Sequence, residues 1–312
     1  MSTSPSTVLV AVPSYRRADR LSRLLAALAE HRDDVLPLRV DVLVIDNDPD
    51  GSAAGAAQRA SASYVSEPRP GLAAVRNRAI DEALTRGADA LVFIDDDEVP
   101  EAGWLRTLVA PWVSGEADLV SGRVESVFDS PPSAWITAGG FFRRVRFSDG
   151  ERMPVAPTNN LLISCAVLRA TGIRFDEEFG RTGGEDIHFT SALHRRGARI
   201  VAAADAVVID HVPDERATAS WVLRRAFRVG TTTARGDIDL TEGAPRRSAR
   251  RVRWIAVGAA RAVAGAGRWL VGALSRSTVH RARGARLVAR GLGMAAGGAG
   301  FRYLEYRPRN GS

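Results

Sequence analysis

Four consecutive acids, Asp95, Asp96, Asp97 and Glu98, follow an apolar run in FIDDDEVP at residues 93–100. Carboxylates this crowded repel one another and resist leaving water unless a cation neutralises them. Hard oxygen donors suit Mn2+ or Mg2+, which commonly bind through one or two carboxylates plus the phosphates of a substrate. A solvated acidic turn would use the same residues, so the motif gains weight only from its position. A second pair, Glu185-Asp186, follows two glycines at the head of an expected helix. It can act as a general base toward an attacking hydroxyl, or simply cap the helix. A helix N-terminus lowers a carboxylate pKa and weakens a base, so burial and the neighbouring acid must oppose that effect.

Other residues are candidates for a donor pocket. Asp46, Asn47 and Asp48 in VLVIDNDPDGS can hydrogen-bond the imide edge of uracil or thymine, although a turn needs the same residue types. Arg76 and Asn77 in PGLAAVRNRA are either surface positions or, for the arginine, a partner for a diphosphate. The loop Pro13-Ser14-Tyr15-Arg16-Arg17 offers a ring for base stacking and two cations. His211, in DHVP, is a candidate third metal ligand or phosphate contact, against the commoner structural role of a lone histidine at a strand end. His188 and His194 read as helix-surface residues.

The elements that must position these groups alternate between strand and helix. Residues 8–12, 41–46 and 90–95 are apolar runs that read as buried strands, and 19–30 and 71–87 as helices, with Asp19 a plausible N-cap. Such alternation predicts a mostly parallel sheet covered on both faces. Asp46 and Asp95 close two of the strands, and open α/β sheets bind ligands at the carboxyl ends of strands. Residues 118–165 read as a less regular acceptor half. A helix follows Glu185-Asp186, and ARIVAAADAVVIDHVP reads as a last strand. The expected boundaries are 1–215 for the α/β domain, with a nucleotide-binding half at about 1–100 and an acceptor half at 101–215. A helical, basic extension is expected over 216–312.

Within that extension, 216–235 reads as an arginine-rich helix, 236–250 as a polar, basic linker, and 251–274 as a helix. At 100° per residue, Arg246, Arg250, Arg253, Arg261 and Arg268 fall in one stripe, with Trp254, Ile255, Val257 and Leu270 elsewhere. Three arginines at a bilayer centre would cost roughly 2.5–3.5 kcal/mol each, so the pattern predicts an interfacial helix rather than a span.

Composition limits the alternatives. All 43 basic residues are arginine. Residues 1–245 carry a net charge of −7 and residues 246–312 one of +14, so the tail is expected to meet something anionic. Cys165 is the single cysteine, which excludes an internal disulfide and a cysteine-based zinc site and points to a reducing compartment. MSTSPST lacks the basic start and long apolar core of a signal peptide, so a cytoplasmic location is expected.

Taken in order, VAVPSYRRADRLSRLLAAL, VLVIDNDPDGS, EPRPGLAAVRNRAIDEA, FIDDDEVPEAGWL, NNLLISCAVL and GGEDIHFTSALHRRGARIVAAADAVVIDHVP resemble family 2 glycosyltransferases, over about residues 8–213. The Glu-Pro-Arg-Pro-Gly-Leu run and the Arg-Asn pair look most like bacterial members that build exopolysaccharide or cell-wall glycans. The resemblance implies a GT-A fold, α/β and Rossmann-like, with a mixed, mostly parallel sheet and helices on both faces. It implies inverting, hexosyltransferase-type transfer from a UDP- or dTDP-sugar to a hydroxyl of a glycan or lipid-linked glycan. Asp46 would bind the donor base, with Pro13 and Tyr15 lining its pocket, Arg17 and Asp48 beside it, and Arg76 near the nucleotide. Asp95 and Asp97 would form the DxD pair beside Asp96, with Asp97 the direct ligand of Mn2+ or Mg2+ and His211 a candidate third ligand. Glu185 and Asp186 would supply the base, with Asp186 favoured. The tail lacks the several spans of processive synthases, so one sugar is expected to be added at a time. Peripheral contact with an anionic membrane surface, at the inner face of the cell membrane, is expected through residues 246–290.

Two readings compete. A sugar-1-phosphate nucleotidyltransferase would need a glycine-rich loop after the first strand, where PSYRR stands instead. A nucleic-acid or anionic-surface binding protein would use the basic tail, but few aromatics are interleaved there, so no nucleic-acid partner is expected.

Overall fold

Residues along β1 (Thr7–Ser14) alternate between two interiors. Val8, Val10 and Val12 join one apolar cluster and Leu9 and Ala11 the other, the pattern of a strand covered on both faces. The computed structural model describes residues 6–31, 33–179 and 183–302. These gather into two compact units, one holding 6–125, 144–179 and 185–210, the other 126–143, 183–184 and 211–302.

In the first unit, α1 (Ala18–Glu30) follows β1, then come β2 (Arg39–Asp46), α2 (Ala54–Arg59), β3 (Ser63–Ser66), α3 (Leu72–Thr85) and β4 (Ala90–Phe93). β2 and β4 flank β1, and β3 flanks β2, all in parallel. The chain then continues through β5 (Glu98–Pro100), α4 (Trp104–Val113) and β6 (Leu119–Phe128). A short helix, α5 (Ala134–Gly139), belongs to the second unit, and β7 (Arg152–Met153), β8 (Leu161–Ser164), α6 (Cys165–Thr171), α7 (Glu185–Arg195) and β9 (Ile200–Val212) follow. The sheet order is β3-β2-β1-β4-β8-β6-β9-β5, with β7 also on β9. β8 runs antiparallel to both β4 and β6. Helices α1, α2 and α4 cover one face and α3, α6 and α7 the other.

Two details differ from expectation. Arg17, not Asp19, stands at the N-cap of α1, because Arg16 turns the chain in the left-handed region at φ 53°. Asp19 lies in the first turn, where its charge suits the helix dipole. β4 ends at Phe93, so the acids that follow lie in a turn rather than on the strand.

A polar knot holds the antiparallel half. Asn160, at φ 108°, accepts from the buried indole N–H of Trp104 at 2.8 Å. Its amide donates to the carbonyls of Arg123 at 3.0 Å and Ala206 at 2.8 Å. Gly122 leaves room for this arrangement, since a Cβ there would collide with the Asn160 side chain and the Ala206 carbonyl.

The second unit is built on α8 (Ala219–Asp239), α9 (Ala244–Leu274) and α10 (Thr278–Gly298), with α10 packed against both of the others and against α5. Gly258, Gly265 and Gly272 on α9 lie against the backbone of α10, and Gly284, Gly291 and Gly298 on α10 lie against that of α9. Gly293 and Gly297 press in the same way on Phe227 and Thr231 of α8. Small residues of this kind let helix backbones approach closely.

The linker expected at 236–250 is instead mostly helix, with only residues 240–243 between α8 and α9. Arginine is a strong helix former whatever its polarity, and Pro245 sits in the first turn of α9, where proline is tolerated. Asp237 closes the corner by accepting from Trp254 Nε1 at 2.8 Å and Arg250 at 3.3 Å. Because only the glycine edge of α9 is covered, Val252, Ile255, Val263, Leu270 and Leu274 stay exposed. Among the described residues, no helix is long and apolar enough to cross a membrane.

Candidate active site

The carboxyl ends of β1, β2 and β4 set the site. β1 and β2 finish side by side, with Ser14 opposite Asp46, and Phe93 of β4 pairs with Ala11. The acids at 95–98 therefore emerge beside the end of β1. Ser14, whose role was not legible in the sequence, donates to Asp96 Oδ2 at 3.0 Å. Arg17 reaches Asp96 at 3.1 Å and Asp97 at 3.0 Å, and Arg20 lies 3.5 Å from Asp97.

Too much negative charge remains for the neighbouring cations to leave every carboxylate at its ordinary pKa. Burial, with help from Asp97, Asp96 and Asp210, pushes Asp95 up to about 6 against the pull of Arg76. Asp96 is raised by burial despite Arg17. Burial and then Asp95 hold Glu98 well above the usual carboxylate range. Glu98 is fixed from two sides, accepting from the Asp95 N–H at 3.2 Å and from Asn159 at 2.7 Å. Asp210, opposite Glu98 in the β5–β9 pair, is held by Arg144 at 2.9 Å.

Arg76 joins these acids to the second motif. Its guanidinium lies 2.6 Å from Glu185 and 3.9 Å from Asp95. Both Arg76 and Glu185 are buried. Phe175 lies under the guanidinium at 5.7 Å and stacks on Phe189 of α7, with ring centroids 3.9 Å apart. Asn77 fixes Phe175 in turn, donating to its carbonyl at 2.9 Å and accepting from its N–H at 2.8 Å. The Arg-Asn pair thus serves two different partners. Burial raises the Glu185 pKa, Arg76 lowers it, and Asp186 adds to the rise. Glu185 Oε2 is buried without a hydrogen-bond partner among the described residues. Asp186 is half-buried, and its Oδ1 accepts from the Ile187 N–H at 2.7 Å.

On the β2 side the carboxylate of Asp46 is fully buried. It accepts from the N–H of Asp48 at 2.9 Å, the N–H of Ala53 at 2.8 Å and the Tyr64 hydroxyl at 3.2 Å. Asn47 straps the following loop, donating to the carbonyls of Glu67 and Arg69, both at 2.7 Å, and accepting from Gly71 at 3.1 Å. Asp48 is buried and holds Arg16 at 3.1 Å. Tyr15 is 53% exposed, with the Arg16 guanidinium 5.4 Å from its ring, and Pro13 is buried on β1. His211 is exposed and falls in the second unit. Among the described residues, no group of three or more His, Cys, Asp or Glu side chains is gathered as a metal site.

A mostly parallel sheet covered by helices on both faces, with carboxylates crowded at its strand ends, defines an α/β architecture with a candidate site at the strand ends. The chain belongs to glycosyl transferase family 2, whose model matches residues 9–172. It is a glycosyltransferase, which sets aside the nucleotidyltransferase and non-enzymatic readings. It is 28% identical over 232 residues to the succinoglycan biosynthesis protein ExoM of Rhizobium meliloti, covering 72% of this chain and 74% of that one. It is 27% identical over 235 residues to the pre-mycofactocin glycosyltransferase of Mycobacterium tuberculosis, covering 72% of this chain but 46% of that longer protein. The fold is shared with S. aureus TarS 1-349 in complex with UDP, at TM-score 0.52 and 17% identity over 95% of this chain and 93% of that one. It is also shared with the mannosyltransferase PcManGT of Pyrobaculum calidifontis in complex with GDP-Man and Mn2+, at TM-score 0.58 and 18% identity over 93% and 86%. The GT-A-like sheet with a helical C-terminal region is the fold that the sequence motifs led us to expect.

Proposed function

We propose that the chain moves a sugar from a UDP- or dTDP-linked donor to a hydroxyl of a glycan or lipid-linked glycan, with inversion and with Mn2+ or Mg2+ at Asp95 and Asp97. The observation that carries this reading is Arg76, which meets Asp95 and Glu185 and ties the two acidic motifs into one site. The UDP bound to TarS and the GDP-Man bound to PcManGT support a nucleotide-sugar donor.

The donor set fits a divalent cation. Asp95 is pushed up to about 6 by burial and by its acidic neighbours, a strain that added positive charge relieves. A closed cage is unnecessary when one or two carboxylates share the ion with substrate phosphates. Bound there, the ion would neutralise charge developing on the departing diphosphate. Asp97 is the direct ligand in this reading, and Asp96 stays with Ser14 as the wall behind it.

Tyr15, which is exposed, supplies the face on which the base stacks, with Pro13 in the same pocket. Asp46 and Asp48 shape the wall beside it, Asp46 through its bonds to the 48–53 turn and Asp48 through Arg16. Arg17 exchanges its carboxylate partners for donor phosphate. Accessibility favours Asp186 as the base. Glu185 is buried against Arg76 at 2.6 Å, away from an acceptor arriving through solvent, so it positions the turn. Asp186 is partly open, and it takes the proton of the acceptor hydroxyl as that oxygen attacks the anomeric carbon.

The exposed apolar face of α9, with arginines on its other side, supports contact with an anionic membrane surface through residues 246–290. The test is a melting-temperature screen of nucleoside-diphosphate sugars with Mn2+, since a bound donor raises stability with occupancy. At least one UDP- or dTDP-sugar should raise the melting point and be hydrolysed slowly, and EDTA should stop that turnover. Full turnover in EDTA removes the cation from the reading, and silence toward every donor removes the reading itself.

A further inference from the structure

The acidic turn after β4 is closed twice by the same two residues. The N–H of Glu98 donates to the carbonyl of Asp95 at 3.1 Å, and the Glu98 carboxylate accepts from the Asp95 N–H at 3.2 Å. Asp96 and Asp97 lie between these closures. Where their carboxylates stand therefore depends on the Glu98 side chain staying in place.

Glu98 is steadied from across the sheet. Its Oε1 accepts from Asn159 Nδ2 at 2.7 Å, and among the described residues its carboxylate receives no hydrogen bond besides this one and that of Asp95. The nearby guanidinium of Arg144 bonds Asp210, the residue opposite Glu98 on β9, at 2.9 Å. Glu98 is 2% exposed. A buried carboxylate stripped of one donor loses more than the bond itself, because the freed oxygen is left unsolvated.

The backbone beside Asn159 is strained in a way that aims it. Asn160 stands at φ 108°, which residues bearing a Cβ rarely adopt. Its N–H is shared between the carbonyls of Thr158 and Phe93, both at 3.1 Å. Such strain persists only where the surroundings over-determine it, and it gathers at functional sites. Here two successive asparagines serve different places. The Asn160 amide makes three hydrogen bonds within the polar knot. The Asn159 amide is half-buried, and among the described residues its one hydrogen bond goes to the acidic turn.

We infer, on the cation reading given above, that Asn159 is a positioning residue for the divalent cation. Through Glu98 it fixes the 95–98 turn in the form in which Asp95 and Asp97 share the ion with the donor diphosphate.

The test follows Mn2+ binding to the full chain with UDP present, as loss of the free-ion paramagnetic resonance signal beyond that caused by UDP alone. UDP binding in EDTA is measured beside it by calorimetry. Asn159→Ala and Asn159→Leu, the second of which keeps the side-chain volume, should each weaken Mn2+ binding by roughly 10–100-fold, the range for a residue that orients a metal ligand. Metal-free UDP binding should stay at the wild-type value. Glu98→Ala should weaken Mn2+ binding to a similar degree, and adding Asn159→Ala to it should cost nothing further, because the amide acts through that carboxylate. Unchanged Mn2+ affinity in both Asn159 variants, an equal loss of metal-free UDP binding, or additive losses with Glu98→Ala would each overturn the inference. Asp97→Asn separates that failure from failure of the cation reading itself. Mn2+ binding that is absent from the wild type, or that survives Asp97→Asn, removes the cation reading and the inference with it.

Discussion

Arg76 Nη1 stands 2.6 Å from Glu185 Oε1, while its Nη2 lies 3.9 Å from Asp95 Oδ1. One side chain on α3 thereby couples a turn after β4 to the head of α7, two points separated by ninety residues of chain. Asp95 and Glu185 are both acids that burial makes reluctant to ionise, and both draw on the same cation. A change in the charge at one acid is felt at the other through Arg76.

Removing Arg76 should therefore harm more than ligand binding. Arg76→Gln leaves Glu185 buried and charged without its partner, and should reduce unfolding free energy by about 3 kcal/mol. Adding Glu185→Gln should restore much of that loss. Chemical denaturation of the two single variants and the double variant measures the coupling, and strictly additive losses would contradict it.

Asp186→Asn should preserve donor binding and melting temperature but lower transfer by roughly 10²–10⁴-fold, the range for a general base. Steady-state assays beside donor-induced thermal shifts separate the two effects. Glu185→Gln, in contrast, should disturb stability as well as rate.

Glu67 offers a pH prediction. It is buried, which alone would raise its pKa, but hydrogen bonds and charge from Arg69 bring it below its ordinary value. A depressed carboxylate stabilises the fold above its unfolded pKa of about 4.3, and that stability is lost as pH falls through the lower, folded value. The advantage of the wild type over Glu67→Gln should thus be full at pH 7 and shrink below pH of about 4. Urea melts of both proteins across that window provide the check.

Gly122→Ala should destabilise by about 1–3 kcal/mol, as overpacking does in a filled core. The added methyl must displace Asn160, and with it the Trp104 hydrogen bond. A drop in melting temperature with a change in tryptophan fluorescence is expected; a neutral substitution would show that the knot gives way easily.

If α9 meets a membrane, Val263→Asp with Leu270→Asp should abolish flotation with anionic vesicles while leaving the helical circular dichroism unchanged, because both side chains are exposed. Raised salt should weaken the wild-type association in the same assay.

Local patterning made much of this molecule readable. The runs at 8–12 and 41–46 and the leucines at 21, 24, 25 and 28 announce β1, β2 and α1 because hydrophobic period is a property of neighbours. The acids at 95–98 and 185–186 stood out for the same reason. Their partners did not. Ser14 meets Asp96 only because β1 and β4 pair, and Asn159 meets Glu98 only after the chain has folded back through β6. Asn47 looked like a base-binding amide, yet its side chain holds the loop that follows β3. The stretch 236–250 reads as a linker on its charge alone, whereas arginine-rich sequence packs well into helix.

The glycines of α9 and α10 each recur every seven residues, at 258, 265 and 272 and at 284, 291 and 298. A seam with that repeat is nearly degenerate: sliding one helix by a heptad would lay glycine against glycine again, with two of three contacts kept. Helix pairs usually escape such ambiguity through a polar residue inside the seam, and this one has none among its glycines. Its alignment is imposed from outside the seam, by α8 packed on Gly293 and Gly297, by the Asp237 clamp on Trp254 and Arg250, and by the three-residue turn at 275–277. Lengthening that turn would remove one of the three constraints on register.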